Sequence, residues 1–390
     1  MKTSNQVEVS APFNRLFYRG LCIAGFQAIS PRFRTPQSAL QDWLTEAHVN
    51  AGGPAPESMR NLFSRYSASA DRIAYRGHEL SDFTHRRWEE MRLFGPAGSD
   101  LAQKTKFFDE CVLSVFERLY PAESPAPDAI VHVTCTGYSA PSGAQRLVSS
   151  RGWSKRTRVL HAYHMGCYAA HPAIQIAAGQ LTVSKNPNLT VDVVHTELCS
   201  LHLNPVNHDP SQLVIQSLFA DGFMKYRVTG ADKSQGLEIL AIRDEMVPDS
   251  EQAMRWVTGP LTFTMELSKE VPTLFASALP GFVHRLFVEA DLELSAEKTK
   301  AVFAVHPGGP RIIELAQHIL GLDPAQVAWS RHVLHEHGNM SSATLPHIWQ
   351  GILQDKLVPD GTLIASLGAG PGLTLSGILF RKRTTQGTRL

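Results

Sequence analysis

Residues 156–181 read RTRVLHAYHMG followed directly by CYAAHPAIQIAAGQL, and this segment indicates the class of fold. Its first part, residues 156–166, is a short β-rich run that ends at Gly166. Its second part, residues 167–181, is rich in alanine and apolar on most sides, which predicts a buried helix. A strand that leads through a glycine turn into a buried helix is the building unit of parallel α/β folds.

The same alternation of strands and helices continues along the rest of the chain. The other predicted strands are AIVHVTCTG (129–137), LTVDVVHTELCS (189–200), KAVFAVHPGG (300–309), GTLIASLG (361–368) and LTLSGILFRK (373–382). The predicted helices are SQLVIQSLFADG (211–222), PRIIELAQHILGL (310–322) and SSATLPHIWQGILQDK (341–356), the last beginning with a serine cap. The pattern predicts an α/β protein made of two halves.

The composition limits the classes of function. The chain has 390 residues, of which 43% are hydrophobic and 19% charged, and its formal net charge is +1. These values are typical of a globular protein and give no reason to expect nucleic acid or a membrane surface as a partner. We find no run of about 18 apolar residues and therefore expect no membrane span.

The cysteine and histidine patterns indicate neither disulfides nor metal. The five cysteines are an odd number, are widely spaced and form no CxxC motif, which favours a reducing, cytoplasmic location. The N-terminus also lacks the apolar core of a signal peptide. We expect no metal site at two histidine clusters: His161, His164 and His171, and His332, His335 and His337 with Glu336. No P-loop or GxGxxG motif indicates a nucleotide cofactor.

Cys167 is the candidate nucleophile. It lies at the predicted start of a helix, where unpaired backbone N–H groups and the positive end of the helix dipole stabilise a thiolate. The same N–H groups suit an oxyanion formed by attack on a carbonyl. The alternative is a plain buried cysteine, because free cysteine is among the most buried residue types.

Two further residues carry complementary chemistry. His306 ends a predicted strand in AVHPGGP, and Asn339 precedes a predicted helix in HGNMSS. Taken alone, His306 is interpreted as a core histidine and Asn339 as a turn or cap residue. With Cys167 they form a set in which a cation lowers the thiol pKa and a neutral amide holds an enolate or oxyanion. This is the chemistry of acyl transfer with carbon–carbon bond formation.

At this point the sequence resembles a family, the type III polyketide synthases, which are chalcone synthase-like condensing enzymes of the thiolase superfamily, in their bacterial form. The matching motifs are HMGCYAAHPAIQIAAG (164–179), LFADG (218–222), GPLTF (259–263), AVHPGGPRIIE (304–314), GNMSSATL (338–345) and GAGPGLTL (368–375). The spacing also agrees, with 139 residues from Cys167 to His306 and 33 from His306 to Asn339.

The resemblance implies a thiolase-like layered αβαβα fold built from two similar α/β halves. Residues 1–240 would form the half with the nucleophilic cysteine, and residues 241–390 the half with the histidine and asparagine. The implied enzyme is a homodimeric acyltransferase that extends an acyl starter with malonyl-coenzyme A by decarboxylative Claisen condensation. It then closes an alkylpyrone, alkylresorcinol or phloroglucinol ring and needs no cofactor beyond its thioester substrates. Starter, number of extensions and ring closure stay open.

The resemblance also implies a role for each site residue. Cys167 would carry the acyl chain, His306 would form an imidazolium–thiolate pair with it, and Asn339 would help His306 to hold the extender carbonyl. The implied substrate-binding residues are the gatekeeping Phe219 and Phe263, then Glu197, Cys199 and His202 in HTELCSLH, and Gly368, Gly370, Pro371 and Gly372 in the Gly-Pro loop. The small Cys199 suits a tunnel for a longer aliphatic chain.

Two regions depart from the pattern of the plant enzymes in this family. The stretch RNLFSRYSASADRIAYR (60–76), which would grip the coenzyme A phosphates, keeps Arg60, Arg65, Arg72 and Arg76 but is rich in serine and alanine. Delivery of the starter by coenzyme A and by an acyl carrier protein therefore both stay open. The CTGYSAPS segment (135–142) reaches toward the partner subunit in the family, which places Ser139 to Ser142 at an expected dimer interface.

Three other functions are alternatives to a type III polyketide synthase. A ketoacyl-carrier-protein synthase III-like enzyme shares the three residues but makes a single condensation, and HPGGP, GNMSS and GAGPG favour the polyketide group. A papain-like cysteine protease also uses Cys, His and Asn in this order, but the local CGSCW signature is missing. A non-enzymatic thiolase-fold subunit is disfavoured because Cys167, His306 and Asn339 are all present.

Overall fold

The computed structural model describes residue 18 and residues 20–184, 186, 188–230 and 235–384. The strands in this part of the chain are β1 (Leu21–Ile29), β2 (Phe33–Pro36), β3 (Tyr75–His78), β4 (Ala129–Thr134), β5 (Arg158–Tyr163), β6 (Val191–Leu198), β7 (Asp221–Gly230), β8 (Gly236–Met246), β9 (Met254–Thr258), β10 (Phe263–Leu267), β11 (Val302–Val305), β12 (Leu363–Gly370) and β13 (Thr374–Arg383). The helices are α1 (Gln37–Asn50), α2 (Pro56–Tyr66), α3 (Leu101–Leu119), α4 (Gly143–Ser150), α5 (Ala170–Ser184), α6 (Pro210–Leu218), α7 (Val271–Glu289), α8 (Leu294–Glu297), α9 (Pro310–Leu320), α10 (Ala328–His337) and α11 (Thr344–Gln354).

Nine strands form one mixed sheet in the order β11-β12-β13-β8-β1-β7-β6-β4-β5. On one side β4 and β6 are parallel, whereas β6–β7 and β7–β1 are antiparallel. On the other side β11 and β12 are parallel, whereas β12–β13 and β13–β8 are antiparallel. The pairing pattern therefore repeats. The two halves join where β1 pairs with β8 through only Cys22 and Ile23.

The helices divide into a central layer and two outer layers. Central α5 packs against β4, β6 and β7 of one half and β13 of the other, and α11 packs against β7, β1 and β11. Helices α3 and α4 cover the outer face of the first half, whereas α7 and α9 cover the second. Apolar clusters fill the spaces between the layers, and this arrangement confirms the predicted αβαβα architecture.

Local sequence explains the helix that follows Gly309. Pro310 occupies the first turn of α9, where its missing N–H costs nothing, and Gly321 ends the helix with a left-handed φ of 59°. The serine cap predicted for the next central helix is wrong. Helix α11 begins at Thr344 after a 3-10 turn, and Ser341 itself adopts a left-handed φ of 50°.

Two sequence predictions concern the second half of the chain. The boundary between residues 240 and 241 falls inside strand β8, and it stays a prediction. Helix α7 is long and apolar enough to cross a membrane, and 39% of its most apolar 18-residue stretch is buried. The sequence had given no reason to expect such a segment. Buried residues of this helix, among them Phe275, Phe282 and Phe287, belong to the outer apolar cluster of the second half.

Candidate active site

Cys167 lies in the turn between strand β5 and the central helix α5. Gly166 precedes it with a left-handed φ of 82°, and α5 begins three residues later at Ala170. A Cβ at Gly166 would overlap the ring of Pro371, so only glycine allows both the turn and this contact. The predicted position next to a helix N-terminus is therefore observed, and the side chain is 8% exposed.

The Cys167 thiol faces a narrow pocket that contains four of the nine predicted substrate-binding residues. Phe219, Phe263, Cys199 and His202 all line it. Cys135, Ser341, Trp256 and Gln212 are among the lining residues that the sequence did not single out. The free space in the pocket is only about 30 Å³, so a starter chain needs side chains to move or a route into a neighbouring space.

Ser341 and Asn339 are the polar groups next to the thiol. Burial raises the pKa of the Cys167 thiol to about 12, while the polar side chains of Ser341 and Asn339 lower this pKa and the nearby charge of Glu197 raises it. The Asn339 Oδ1 accepts the Ser341 backbone N–H at 2.9 Å, which fixes the amide. Its backbone pairs with Phe219, so Asn339 is held beside the pocket by the segment that carries one aromatic wall.

His306 is a buried imidazole whose two ring nitrogens have no hydrogen-bond partner among the described residues. It lines a second, apolar pocket with Phe275 and Gly368 rather than the pocket that contains the thiol. Burial lowers the pKa of His306 to about 3, so the ring is neutral at pH 7. A buried polar group without a partner is rare in proteins, which marks His306 as a group kept for a ligand or a reaction.

The Gly-Pro loop packs against the segment that carries Cys167. A Cβ added at Gly368 would lie 3.2 Å from the Cβ of Tyr168, and one at Gly370 would overlap the Tyr168 ring. The residue that follows Cys167 thus packs directly on the loop. Gly372 has a left-handed φ of 66°, which lets the chain turn back into strand β13.

Glu197 lies outside the lining of the thiol pocket, and its predicted contact with substrate stays a prediction. It is fully buried and is not among the residues that line the pocket. Its carboxylate accepts hydrogen bonds from the Cys135 backbone at 2.9 Å, from the Thr136 hydroxyl at 3.0 Å and from the Ser342 hydroxyl. Burial raises the pKa of Glu197, and these hydrogen bonds lower it. The residue holds the wall of the pocket from behind.

His202 holds Phe263 in place. Its ring stacks on Phe263 with centroids 4.4 Å apart and an interplanar angle of 10°. The Nδ1 atom accepts the Phe263 backbone N–H at 3.1 Å, and Nε2 donates to the Thr136 carbonyl at 2.8 Å. Both ring nitrogens are occupied, and burial lowers the pKa of His202 to about 3. The neutral ring therefore has no free nitrogen with which to donate or accept a proton in the pocket.

The arginines predicted for the coenzyme arm divide into two kinds. Arg60 and Arg65 are exposed on helix α2, which packs on the pocket-lining helix α6. Arg76, in the same basic stretch, is buried and donates to the carbonyl oxygens of Gln216 and Phe219. Arg76 therefore supports the pocket wall and is not available to a phosphate.

The histidine clusters are occupied by protein groups. His171 lies between the hydroxyls of Ser376 and Ser366, at 2.9 and 2.8 Å, and His335 pairs with Glu336. Within the described ranges, no group of three or more His, Cys, Asp or Glu side chains is arranged to hold a metal ion.

Comparison with known proteins connects this geometry to a family. Residues 238–384 match the family described as chalcone and stilbene synthases, C-terminal domain. The chain is 30% identical over 274 residues to a Bacillus subtilis (strain 168) protein named "Putative chalcone synthase", a match that covers 68% of this chain and 73% of that protein. A Streptomyces griseus 1,3,6,8-tetrahydroxynaphthalene synthase is 30% identical over 247 residues, or 63% of this chain.

The fold comparison agrees. PKS-I from the brown alga Ectocarpus siliculosus superposes with a TM-score of 0.80 and 25% identity, covering 93% of this chain and 98% of that one. The sequence match spans 64% of the Streptomyces enzyme and 8% of a Dictyostelium discoideum protein named "Probable polyketide synthase 1", less than two thirds of either relative.

The fold matches the thiolase-like fold of solved type III polyketide synthases. The chain belongs to the chalcone and stilbene synthase family, the type III polyketide synthases.

Proposed function

We propose that the protein is a type III polyketide synthase in which Cys167 carries the acyl chain. The observation that carries the proposal is a buried thiol beside the polar side chains of Ser341 and Asn339, together with a buried imidazole at His306 that has no partner among the described residues. The relatives named above favour this chemistry over a single condensation of the ketoacyl synthase III kind.

Starter loading is an acyl transfer to sulfur. The Cys167 Sγ attacks the carbonyl carbon of the starter thioester, and His306 accepts the thiol proton as general base. The carbon–sulfur bond to the carrier then breaks, and its thiolate leaves with that proton. Because burial holds both Cys167 and His306 in their neutral forms, proton transfer during attack fits them better than a pair already ionised in the resting enzyme.

Extension follows at the same carbonyl. A malonyl thioester held by the Asn339 amide and the His306 imidazole loses carbon dioxide, and the electron pair of the broken bond forms an enolate. The enolate carbon attacks the acyl group on Cys167, the Cys167 thiolate leaves, and a proton restores the thiol. Repetition and ring closure would give an alkylpyrone, alkylresorcinol or phloroglucinol-type product, bounded by Phe219, Phe263 and the Gly-Pro loop.

The decisive experiment is mass spectrometry of protein and products. Purified protein is incubated with malonyl-coenzyme A and acyl-coenzyme A starters from short to long. We expect an acyl adduct on Cys167 and pyrone or resorcinol products, and Cys167→Ala should remove both. Cys111→Ala, a buried cysteine on α3 outside the pocket, is the matched control. Full product formation by Cys167→Ala would overturn the proposal.

Asn339→Ala separates the two steps. Because its amide is proposed to stabilise the enolate, the variant should still form the acyl adduct but release carbon dioxide from malonyl-coenzyme A much more slowly. Equal loss of both steps with a changed circular dichroism spectrum would indicate misfolding instead. Equal loss with an unchanged spectrum would remove the proposed role.

Starter delivery is a separate part of the proposal. Arg60 and Arg65 are exposed on α2 and suit the phosphates of coenzyme A or of a carrier-protein arm. We expect the double variant Arg60→Ala, Arg65→Ala to raise KM for an acyl-coenzyme A and to leave KM for the phosphate-free N-acetylcysteamine thioester unchanged. If Cys167 is acylated by an acyl-carrier-protein thioester but not by acyl-coenzyme A, the carrier protein delivers the starter in place of coenzyme A.

We also propose a homodimer in a reducing, cytoplasmic setting. Strand β5 is the last strand of the sheet, so one of its edges is open in the chain, and a second copy paired there would continue the sheet. The predicted Ser139–Ser142 segment adjoins this edge through a 3.0 Å hydrogen bond between Ser142 and His161. Light scattering should give twice the chain mass of 42.9 kDa, and Leu160→Glu should lower it. All five cysteines are free, as a reducing compartment allows.

A further inference from the structure

A groove outside the thiol pocket has an unusual set of side chains. It encloses about 870 Å³ beside the N-terminal turn of α3, and we call it the Lys104 groove. Among the residues that line it are Phe94, Ser99, Lys104, Leu203, Val206 and Leu261. Leu203 also lines the pocket of Cys167, so the two spaces share this residue in their walls.

Lys104 is a buried cation without an acidic partner. The residue is only 4% exposed, and across the described part of the chain its Nζ takes part in no hydrogen bond or ion pair. The nearest aromatic ring is Phe94, with Nζ 5.3 Å from the ring centroid. Burial lowers the pKa of Lys104 to about 8, so the amine is still mostly charged at pH 7. An uncompensated buried charge is expensive and is normally paired.

Ser99 supplies a second hydrogen-bond donor to the groove. The Ser99 hydroxyl is buried, lines the groove, and has no hydrogen-bond partner among the described residues. Two acids, Asp100 and Glu89, also line the groove but are exposed, and Asp100 accepts the Gln103 N–H at 2.8 Å as the cap of α3. The inner part of the groove thus offers an ammonium and a hydroxyl to an acceptor that the chain does not supply.

The mouth of the groove is apolar. Val206 is 55% exposed and Leu261 is 44% exposed, and both line the groove. Large aliphatic side chains left in water next to a cavity are typical of a binding surface for an apolar chain. A ligand that matches both parts has an anionic head and a hydrocarbon body.

We propose that the Lys104 groove binds the carboxylate of an organic acid with an apolar chain, with the carboxylate against Lys104 and Ser99. A carboxylate accepts from both donors and neutralises the buried cation, whereas an alcohol or amide leaves the charge unpaired. The acid has two sources: a free acid from solution, or the far end of a starter on Cys167 whose chain passes Leu203. The second source rests on the proposed function, and the first does not.

Calorimetry tests the site without any turnover. Decanoate and decanamide are titrated into the wild-type protein and into Lys104→Met, Lys104→Arg and Lys106→Met. We expect the wild type to prefer decanoate by about tenfold or more, Lys104→Met to lose the preference, and Lys104→Arg to recover part of it. Lys106→Met, exposed two residues further along α3, is the matched control and should behave as wild type. Equal binding of decanoate and decanamide by the wild type would overturn the proposal.

Starter competition identifies the source. Cys167 acylation is measured with decanoyl-coenzyme A and with the matching ω-carboxydecanoyl-coenzyme A. If the starter supplies the carboxylate, the wild type prefers the ω-carboxy form and Lys104→Met loses that preference. If the acid is free, both starters react alike while calorimetry still shows the Lys104-dependent site. Absence of any acylation refutes the proposed function. The calorimetric preference for decanoate then tests the carboxylate site in the groove by itself.

Discussion

The Glu197 carboxylate joins two segments on opposite sides of the thiol pocket. One oxygen accepts the Cys135 backbone N–H at 2.9 Å, and the other accepts the Ser342 hydroxyl. Cys135 ends the β4 segment of the first half, whereas Ser342 follows Asn339 in the second half. The two halves therefore meet at one buried side chain, whose charge also acts on the thiol of Cys167.

Glu197→Gln should weaken this connection. The amide replaces an acceptor oxygen with an N–H₂ donor, which then faces either the Cys135 N–H or the Ser342 hydroxyl. We expect the free energy of unfolding, measured in urea, to fall by about 1–3 kcal/mol. Unchanged stability together with a raised KM for the extender would instead show that Glu197 contacts substrate, as the sequence predicted.

The reactivity of Cys167 should depend on pH in one direction. Burial raises the pKa of its thiol to about 12, so at neutral pH almost all of it is protonated. Because only the thiolate reacts, the rate of alkylation by iodoacetamide should rise by about tenfold for each pH unit between pH 7 and 9. Peptide mass spectrometry assigns the modified residue. A rate that is already constant from pH 6 upward would reveal an ion pair with His306 in the resting enzyme.

A methyl group at Gly370 should disturb the site from the loop side. Its Cβ would overlap the Tyr168 ring, so Gly370→Ala forces Tyr168 or the loop to move at a cost of about 1–3 kcal/mol. We expect slower condensation and a lower melting temperature. Gly179→Ala, on the exposed side of α5 with no atom within 4 Å of the new Cβ, is the matched control. It should stabilise the protein by about 0.5–1 kcal/mol, and equal effects of the two changes would contradict the packing argument.

Cys199 should limit starter length. It lines the thiol pocket, where little free space remains, and Cys199→Phe adds an aromatic ring there. We expect kcat/KM for a decanoyl starter to fall by about tenfold or more while an acetyl starter is little affected. Cys199→Ala is the size control and should keep the long starter. Long starters accepted unchanged by Cys199→Phe would show that the chain takes another path.

Much of the fold was predictable because its central strands are buried runs bounded by glycine or proline. Strands β4, β5, β6 and β11 lie within their predicted segments, β12 and β13 extend past the predicted ends by two residues and one residue, and α9 begins and ends at its proline and glycine signals. Strands β7 and β8 were missed. Both carry charged residues along much of their length, and their position depends on antiparallel pairing with β6, β1 and β13, which lie far away in the chain. Local patterns carry no information about such pairing.

The site was predictable where motifs lie in one short segment. Cys167 with its helix, Phe219 and Phe263 are found together around one pocket. Ser341 was missed, although it lies two residues after Asn339 and its left-handed conformation turns it toward the thiol. Trp256 was missed because its indole N–H reaches the Cys135 carbonyl at 2.7 Å across 121 residues of sequence. Contacts of this kind appear only once the halves are folded together.

The two central helices have a consequence for how the molecule unfolds. Because α5 and α11 each pack against strands of both halves, loss of either half would expose one common apolar layer to water. Neither half has a complete interior of its own. Melting should therefore be a single all-or-none event, and a destabilising change on the outer face of one half should lower the thermal transition of the whole chain.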